Sequence, residues 1–286
     1  TTVSNCSQLC RWRDLFMSNV VVYTAIFGGY DFLYEPLVKP DNVDYVCFTD
    51  SKDMKSDTWD IRYTLPLYNN PELKNPAVRN ARKYKALPHR FLSEYEYSVW
   101  VDGNAQCRGD VNELIQEYLW DYNESSDGGQ TGAIIPAHSS PKPNMAVYDK
   151  MSCALDPWNC IYEEARRIFQ FGETNLAREP WKGIKAYKDD PKLIQKQTDK
   201  YMRENFPPNL GLLSAMVLVR RHMEKDVWMT GESWWEEMKY YSHLDQMSFN
   251  YVAWKRRLNF NWIKEDVREC RHFQHKGIHK VKLDEK

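Results

Sequence analysis

The chain has 286 residues, of which 42% are hydrophobic and 28% are charged, a composition typical of a globular protein. Its 39 Lys and Arg against 40 Asp and Glu leave a net charge of −1, so no overall positive field attracts nucleic acid or an anionic membrane. No apolar run approaches the roughly 20 residues that are needed to cross a bilayer. We therefore expect no nucleic-acid partner and no transmembrane segment in this chain.

The cysteine pattern bears on the compartment of the protein. Seven cysteines without a C-x-x-C pair argue against a zinc ribbon and against a dense disulfide scaffold. We therefore expect reduced thiols and a cytoplasmic protein. Two N-x-S sequons, at Asn5 and Asn123, favour the secretory route instead, because glycosylation requires it. The alternative location is the Golgi lumen, if an upstream anchor has been removed.

The first half of the chain alternates apolar runs with a helical stretch. The runs at 19–24, 44–50 and 97–101 are too short for helices and end in polar residues, so we predict buried strands. A shorter candidate strand lies at 59–63, and residues 76–92 are helix-compatible and strongly basic. Strands that alternate with helices predict an α/β fold with a mainly parallel central sheet and helices on both faces.

The second half begins with a Gly-, Ser- and Pro-rich stretch at 123–147, which is typical of a loop around one short strand. One further strand is predicted at 210–219. Helices are predicted at 159–172, 191–205, 233–241 and 246–256. No internal repeat and no linker divides the chain.

The turn after the third strand run is the first candidate site. Asp102 has a hard carboxylate that can bind a divalent metal, and Asn104 adds a neutral amide oxygen two residues later, across Gly103. An amide is a weaker ligand than a carboxylate, so we expect a low metal affinity. The alternative is a simple turn without a ligand.

The second candidate site is the polar pair Asp245-Gln246 within an apolar and aromatic stretch. A carboxylate accepts hydrogen bonds and an amide both donates and accepts them, so the pair can hold a sugar hydroxyl. The alternative is a helix cap formed by Ser242 or Asp245.

The third candidate is the segment that follows Glu269, where three imidazoles and two ammonium groups lie around a glycine. Its cationic and imidazole residues are His272, His275, Lys276, His279 and Lys280. These side chains can supply a metal ligand and cations that neutralise phosphate. The alternative is a disordered basic tail.

The order of these motifs resembles that of a known enzyme class. The segments VVVYTAIFGGYD, DYVCFTD, RNARKYKALPHRF, YSVWVDGN, SHLDQMSFNY and HKGIHK resemble the GT-A-fold glycosyltransferases. They are most similar to the glycosyltransferase-like domain family of the plant seed-mucilage type, formerly a domain of unknown function. The resemblance covers about residues 19–280.

The resemblance implies a Rossmann-like nucleotide-sugar domain with an acceptor-binding part fused to it. We therefore predict an N-terminal extension at 1–18, one GT-A-like catalytic domain at 19–280, and a tail at 281–286. Within the domain, 19–122 is the nucleotide-binding half and 123–280 is the acceptor half.

The resemblance also implies roles for the candidate residues. In GT-A enzymes a D-x-D turn holds Mn²⁺ or Mg²⁺ on the donor diphosphate, and Asp102 matches its first position. Asn104 replaces the final Asp, which leaves open whether the metal is required. His275 is the nearest match to a late histidine ligand, and Lys280 matches the lysine of a similar H-x-x-G-x-x-K stretch. Asp245-Gln246 resembles a D-Q element beside the donor sugar.

The nucleotide is predicted at the carboxyl ends of the strands, where ligands of parallel sheets bind. The predicted contacts with the base, ribose and diphosphate are Thr24, Ala25, Phe27, Asp50, Arg79, Arg82 and Lys83. Basic runs such as 79–83 are also typical of solvated helix faces.

These features together predict a glycosyltransferase, a hexosyl- or pentosyltransferase. It would move a sugar from a UDP-sugar to a hydroxyl of a glycan or glycoconjugate acceptor, with Asp245 as base or as charge stabiliser. The first alternative is a non-catalytic glycan-binding or nucleotide-sugar-binding protein that stacks sugars on Trp234 or Trp235. A second alternative, a lipid hydrolase, has no G-x-S-x-G or H-E-x-x-H motif to support it.

Overall fold

The computed structural model describes residues 19–70, 73–119, 142–277 and 279–280. The predicted extension at 1–18, the tail at 281–286 and both sequons lie outside these residues, as do Cys6 and Cys10. The remaining five cysteines are free and buried. Within the described residues, no helix combines the length and the apolar character needed to cross a membrane.

The described residues form nine strands and six α-helices. The strands are β1 (Val20–Ile26), β2 (Val43–Thr49), β3 (Asp60–Tyr63), β4 (Tyr97–Val101), β5 (Ala105–Cys107), β6 (Met145–Asp149), β7 (Leu213–Arg220), β8 (Asn261–Ile263) and β9 (Phe273–His275). The helices are α1 (Pro76–Ala86), α2 (Val111–Tyr118), α3 (Ile161–Arg178), α4 (Pro191–Arg203), α5 (Lys225–Tyr240) and α6 (Phe249–Arg256). Asp245–Met247 forms a short 3₁₀ turn just before α6.

Seven of these strands form one sheet in the order β3-β2-β1-β4-β7-β6-β8. Only β7 runs against its neighbours, β4 and β6, whereas all the other neighbouring strands of this sheet pair in parallel. The prediction of an α/β fold with a mainly parallel central sheet is therefore confirmed. Strands from both predicted halves of the domain share this sheet.

The sheet is buried on both faces, which explains why its strands read as continuous apolar runs. All seven residues of β1 are buried. Tyr23 and Phe27 pack on the face covered by α1 and α3 to α6, and Val22 and Ile26 pack on the face covered by α2. Helices therefore cover both faces, as predicted.

A second, two-stranded sheet brings the end of the chain back to the first half. Strand β9 pairs antiparallel with β5, so that His275 lies opposite Ala105. Because β5 directly follows the turn at 102–104, this pairing places the C-terminal residues beside that turn. The alternative of a disordered tail is therefore wrong up to His275.

Candidate active site

Three basic side chains of α1, those of Arg79, Arg82 and Lys85, are spaced three residues apart, so they share one face of the helix. The sequence left open whether this basic run is solvated. Arg79 is 4% exposed and Lys85 is completely buried, so the face is turned into the protein. Helix α1 ends at Ala86, and a short 3₁₀ helix begins at Pro88. Proline has no backbone N–H to donate, so it cannot continue the hydrogen bonding of α1.

Two of these cations meet two carboxylates at the carboxyl edge of the sheet. Lys85 Nζ lies 2.9 Å from Asp102 Oδ1 and 2.5 Å from Asp245 Oδ2. Arg82 also contacts both acids, at 2.9 Å from Asp245 Oδ2 and 3.6 Å from Asp102 Oδ1. We call Arg82, Lys85, Asp102 and Asp245 the charge cluster. The charge cluster combines the two acidic residues that the sequence analysis assigned to separate candidate sites.

Burial and pairing determine the protonation of the charge cluster. Burial lowers the pKa of Lys85, and the two neighbouring carboxylates oppose that shift. Burial raises the pKa of Asp245, but Arg82 and Lys85 outweigh it, so the net pKa lies below its ordinary value. Contacts with two carboxylates favour the ammonium form of Lys85, which has three N–H donors. The cluster thus pairs two basic side chains with two carboxyl groups.

Two hydrogen bonds fix the segment that carries Asp245, one to the Asp245 carbonyl and one from the Gln246 side chain. Trp234 Nε1 donates to the Asp245 carbonyl at 3.2 Å, and Gln246 Nε2 donates to the Leu213 carbonyl at 2.9 Å. Helix α6 begins only at Phe249, after Ser248. Asp245 therefore does not cap α6: its Oδ2 contacts Arg82 and Lys85, and its Oδ1 accepts from the Gln246 backbone N–H at 3.0 Å within the 3₁₀ turn.

The turn at 102–104 is shaped by close packing. Trp100 Nε1 donates to Asp102 Oδ1 at 2.7 Å, which fixes the carboxylate from the strand side. A Cβ atom at Gly103 would lie 2.8 Å from the Cβ of Asp31, so only glycine fits there. The Asn104 amide lies 3.0 Å from His275 Nε2, so two of the three predicted metal ligands are in contact, whereas Asp102 Oδ1 accepts from Lys85 and Trp100.

The C-terminal residues lie against the loop that follows β1. His279 Nδ1 is 2.6 Å from Asp31 Oδ1, and Lys280 Nζ lies 5.3 Å from the ring centre of Phe32. His272 lies apart from His279 and Lys280, and its Nε2 is 3.1 Å from Glu113 of α2. The pair of Asp31 and His279 was not predicted, because nothing near Asp31 in the sequence marks it as a partner of the tail.

The predicted metal ligands at the turn do not form a complete metal site by themselves. Burial and the nearby His279 lower the pKa of His275, which favours the neutral imidazole that binds metals. Among the residues that the structure describes, however, no three His, Cys, Asp or Glu side chains form a metal-binding group. One carboxylate, one amide and one imidazole would therefore need oxygens of a bound diphosphate to complete the coordination.

The residues predicted to contact the nucleotide have different surroundings. Thr24, Ala25 and Phe27 are buried in β1 and just after it, and the Phe27 ring stacks on Tyr84 at 5.6 Å. Asp50 directly follows β2, at the carboxyl ends of the strands. The Gly28 backbone N–H donates to its two carboxylate oxygens at 2.9 and 3.2 Å. These placements leave the nucleotide contacts as predictions.

The basic residues predicted for the nucleotide also differ from one another. Arg82 belongs to the charge cluster, whereas the Arg79 guanidinium donates to Asp189 at 3.3 Å. The ammonium group of Lys83 lies 5.4 Å from the ring centre of Phe91. Lys85, which the sequence placed only within the basic run, contacts both acids at shorter distances than Arg82 does. Its spacing of three residues from Arg82 was the available signal.

The aromatic pair suggested for sugar stacking is not available at the surface. Trp234 is 1% exposed and Trp235 is 6% exposed, and both pack into the main core. The suggestion that a glycan stacks on either ring is therefore wrong. Trp234 packs on Phe249 and Trp235 on Tyr68 within the core, which an aromatic pair in a sequence does not reveal.

The comparison with protein families identifies the first part of the chain. Residues 11–127 match the model of the TOD1/MUCI70 glycosyltransferase-like domain. This match confirms the resemblance that was recognised from the motifs, and it supports a glycosyltransferase. It includes β1 to β5, Lys85 and the turn at 102–104, whereas Asp245 and His275 lie beyond its end. No curated protein shows a significant match.

Two of the solved structures that this chain matches are glycosyltransferases. The apo structure of the WbbM bifunctional glycosyltransferase has 13% sequence identity and a TM-score of 0.37 over 84% of this chain, which spans 38% of that protein. The apo form of mouse xyloside xylosyltransferase 1 has 9% identity and a TM-score of 0.29 over 87% of this chain and 78% of its own. These scores are too low to carry an inference about function.

Proposed function

We propose that this chain transfers a sugar from a nucleotide-sugar, specifically a UDP-sugar, to a hydroxyl of a glycan or glycoconjugate. The observation that carries the proposal is the charge cluster at the carboxyl edge of a mainly parallel sheet, where ligands of such sheets bind. The match of residues 11–127 to a glycosyltransferase-like domain supports the same reaction class.

Lys85 and Arg82 supply the positive charge in this proposal. An ammonium group has three donors, and Lys85 uses two of them on Asp102 and Asp245. Lys85 is completely buried, so the partly exposed Arg82 side chain is the cation of the pair that a donor oxygen can reach. Transfer of the sugar leaves negative charge on the departing diphosphate, and fixed cations in a buried site stabilise it without having to reorganise.

Asp245 acts in this proposal as a charge stabiliser instead of a base. A general base works best when its pKa lies near the operating pH. Arg82 and Lys85 hold the pKa of Asp245 below its ordinary value, so the carboxylate remains ionised and binds protons weakly. Such a group suits the positive charge that develops at the anomeric carbon during transfer.

The metal, Mn²⁺ or Mg²⁺, would be held by Asp102, Asn104 and His275 together with the diphosphate. A bound divalent cation would neutralise the leaving group. Because Asn104 adds no charge, Asn104→Asp should tighten Mn²⁺ binding in the presence of UDP by about tenfold, since ligand charge tunes affinity. Isothermal titration of Mn²⁺ into the UDP-bound wild type and variant measures this. Equal affinities would contradict the assignment of Asn104 as a ligand.

Asp50 provides a test of the nucleotide position. Asp50→Ala removes the acceptor of the Gly28 N–H and a polar group at the sheet edge. We expect the dissociation constant of UDP to rise by about tenfold, the equivalent of one hydrogen bond to a charged group. Asp53→Ala is the matched control, because Asp53 is exposed on the same loop. UDP affinity that is unchanged in Asp50→Ala would place the nucleotide elsewhere.

A ligand screen tests the donor class. A UDP-sugar present at 100 times its dissociation constant should stabilise the protein by about 2.7 kcal/mol, which raises the melting temperature. The screen compares UDP-sugars with GDP-sugars, each with and without Mn²⁺. A larger shift with GDP-sugars would overturn the choice of UDP. Release of free UDP from a bound UDP-sugar then separates a transferase from a non-catalytic binding protein.

A further inference from the structure

Asp189 lies outside the charge cluster, in the segment just before α4, and its carboxylate is completely buried. It receives hydrogen bonds from the segment that leads to Asp245. The Ser242 hydroxyl donates to Asp189 Oδ2 at 2.9 Å and the His243 backbone N–H donates to the same oxygen at 2.8 Å. The His243 ring contacts it as well, with Nδ1 at 2.7 Å. No helix or strand holds this segment between α5 and the 3₁₀ turn at Asp245, so these bonds fix its course.

The same carboxylate also binds the helix that carries the cations. Arg79 NH2 donates to Asp189 at 3.3 and 3.4 Å, and Arg79 lies one turn before Arg82 on α1. Arg79 NH1 donates in addition to the Met238 carbonyl at 3.1 Å, near the C-terminal end of α5. Asp189 therefore hydrogen-bonds both to α1, which carries Arg82, and to the segment that leads to Asp245.

The charge of Asp189 is maintained by its partners. Burial alone raises the pKa of this carboxyl group, but His243 and Arg79 outweigh that effect and lower the pKa to about 2. Burying a carboxylate and a guanidinium is costly, and apolar side chains of similar size would pack the same space at no such cost. What the charges add is direction, because each bond fixes the position of one donor relative to the others.

We propose that Asp189 is a positioning residue for the candidate active site, one that sets the distance between the cations of α1 and the Asp245 carboxylate. It does so by bonding Arg79 on one side and Ser242 and His243 on the other. Asp189 does not touch the donor in this account. The proposal rests on the proposed function for its effect on turnover, but its structural part stands independently.

The indole of Trp234 offers a readout that does not depend on catalysis. Its Nε1–H is shared between the Asp245 carbonyl at 3.2 Å and the Ser248 hydroxyl at 3.1 Å, so its proton and nitrogen chemical shifts report the position of the turn at 245–248. Asp189→Asn keeps the size of the side chain and removes its charge. Asp190→Asn is the matched control: Asp190 caps α4 by accepting from the Lys192 N–H at 2.8 Å, and asparagine caps a helix about as well.

We expect the Trp234 indole signal to shift in Asp189→Asn and to stay in place in Asp190→Asn. If Asp189→Asn does not fold, Ser242→Ala decides, because it removes one hydrogen bond to Asp189 and should by itself shift the Trp234 signal. An unchanged Trp234 signal in the folded Asp189→Asn, or in Ser242→Ala where that variant decides, would overturn the proposal. So would an equal shift in Asp190→Asn.

Kinetics provide the second readout. Asp189→Asn should lower kcat at least about tenfold and leave the donor KM within about twofold, because the cations still bind the donor while Asp245 is displaced. An equal loss in kcat for Asp190→Asn would contradict this. If the wild-type protein transfers no sugar, the proposed function fails, and the Trp234 signal still tests the position of Asp189.

Discussion

Asp245→Asn should lower turnover by at least about a hundredfold while the protein still binds a UDP-sugar. Removing one preorganised charge that acts on the transition state typically costs about 10² to 10³ in kcat. Donor binding should persist because Lys85 retains Asp102 as a partner at 2.9 Å, so the cations remain in place. Measurement of kcat and of the donor dissociation constant in the wild type and the variant tests this expectation.

The control for this variant is Asp199→Asn. Asp199 lies on α4, where its side chain accepts a hydrogen bond from Gln195 of the same helix and has no other hydrogen-bond partner among the described residues. Asp199→Asn makes the same chemical change at a residue outside the charge cluster, so kcat should stay at the wild-type value. A near-normal kcat in Asp245→Asn would assign Asp245 a purely structural role and leave the site without an identified catalytic group.

Lys85→Met should reduce the free energy of unfolding by about 3 to 5 kcal/mol, the usual cost of breaking a buried ion pair. Methionine has a similar length, but it leaves Asp102 and Asp245 with Arg82 as their shared cation. Turnover should also fall at least about a hundredfold, because Asp245 loses the buried cation that holds its carboxylate in place. Urea unfolding followed by intrinsic fluorescence measures the stability.

The matched control is Lys83→Met, two residues earlier on the same helix. The Lys83 ammonium group lies over the Phe91 ring at 5.4 Å and has no carboxylate contact among the described residues. A cation–π contact of this kind contributes about 0.5 to 1 kcal/mol at exposed sites, so the loss should be small. Equal stability of the two variants would show that Lys85 does not join the two acids.

The sheet could be predicted from the sequence because its strands are buried on both faces. Such strands appear as continuous apolar runs, and the polar residues that follow them, Asp50 and Asp102, mark the ligand edge. Asp245 could be singled out because it is a charged residue in an apolar neighbourhood. What could not be read from either motif was that the two acids share one lysine.

The missing parts of the site depend on partners that are distant in the chain. Lys85 and Asp245 are 160 residues apart, and Arg79 and Asp189 are 110 apart. A basic helix looks the same in sequence whether its face meets water or buried acids, so the burial of Lys85 was not predictable. Strand β9 has three residues, too few to show a periodicity, and its pairing with β5 therefore emerged only from the structure.

The most direct test of the proposed function is transfer of a labelled sugar from a UDP-sugar, measured as UDP release and as label on the acceptor. The panel should include several UDP-sugars and glycan acceptors, with the wild type and Asp245→Asn at equal concentrations. We predict release of UDP and labelled product with the wild type, and at least a hundredfold less of both with Asp245→Asn. Absence of UDP release from every nucleotide-sugar by the folded wild type, or equal rates for the two proteins, would contradict the account.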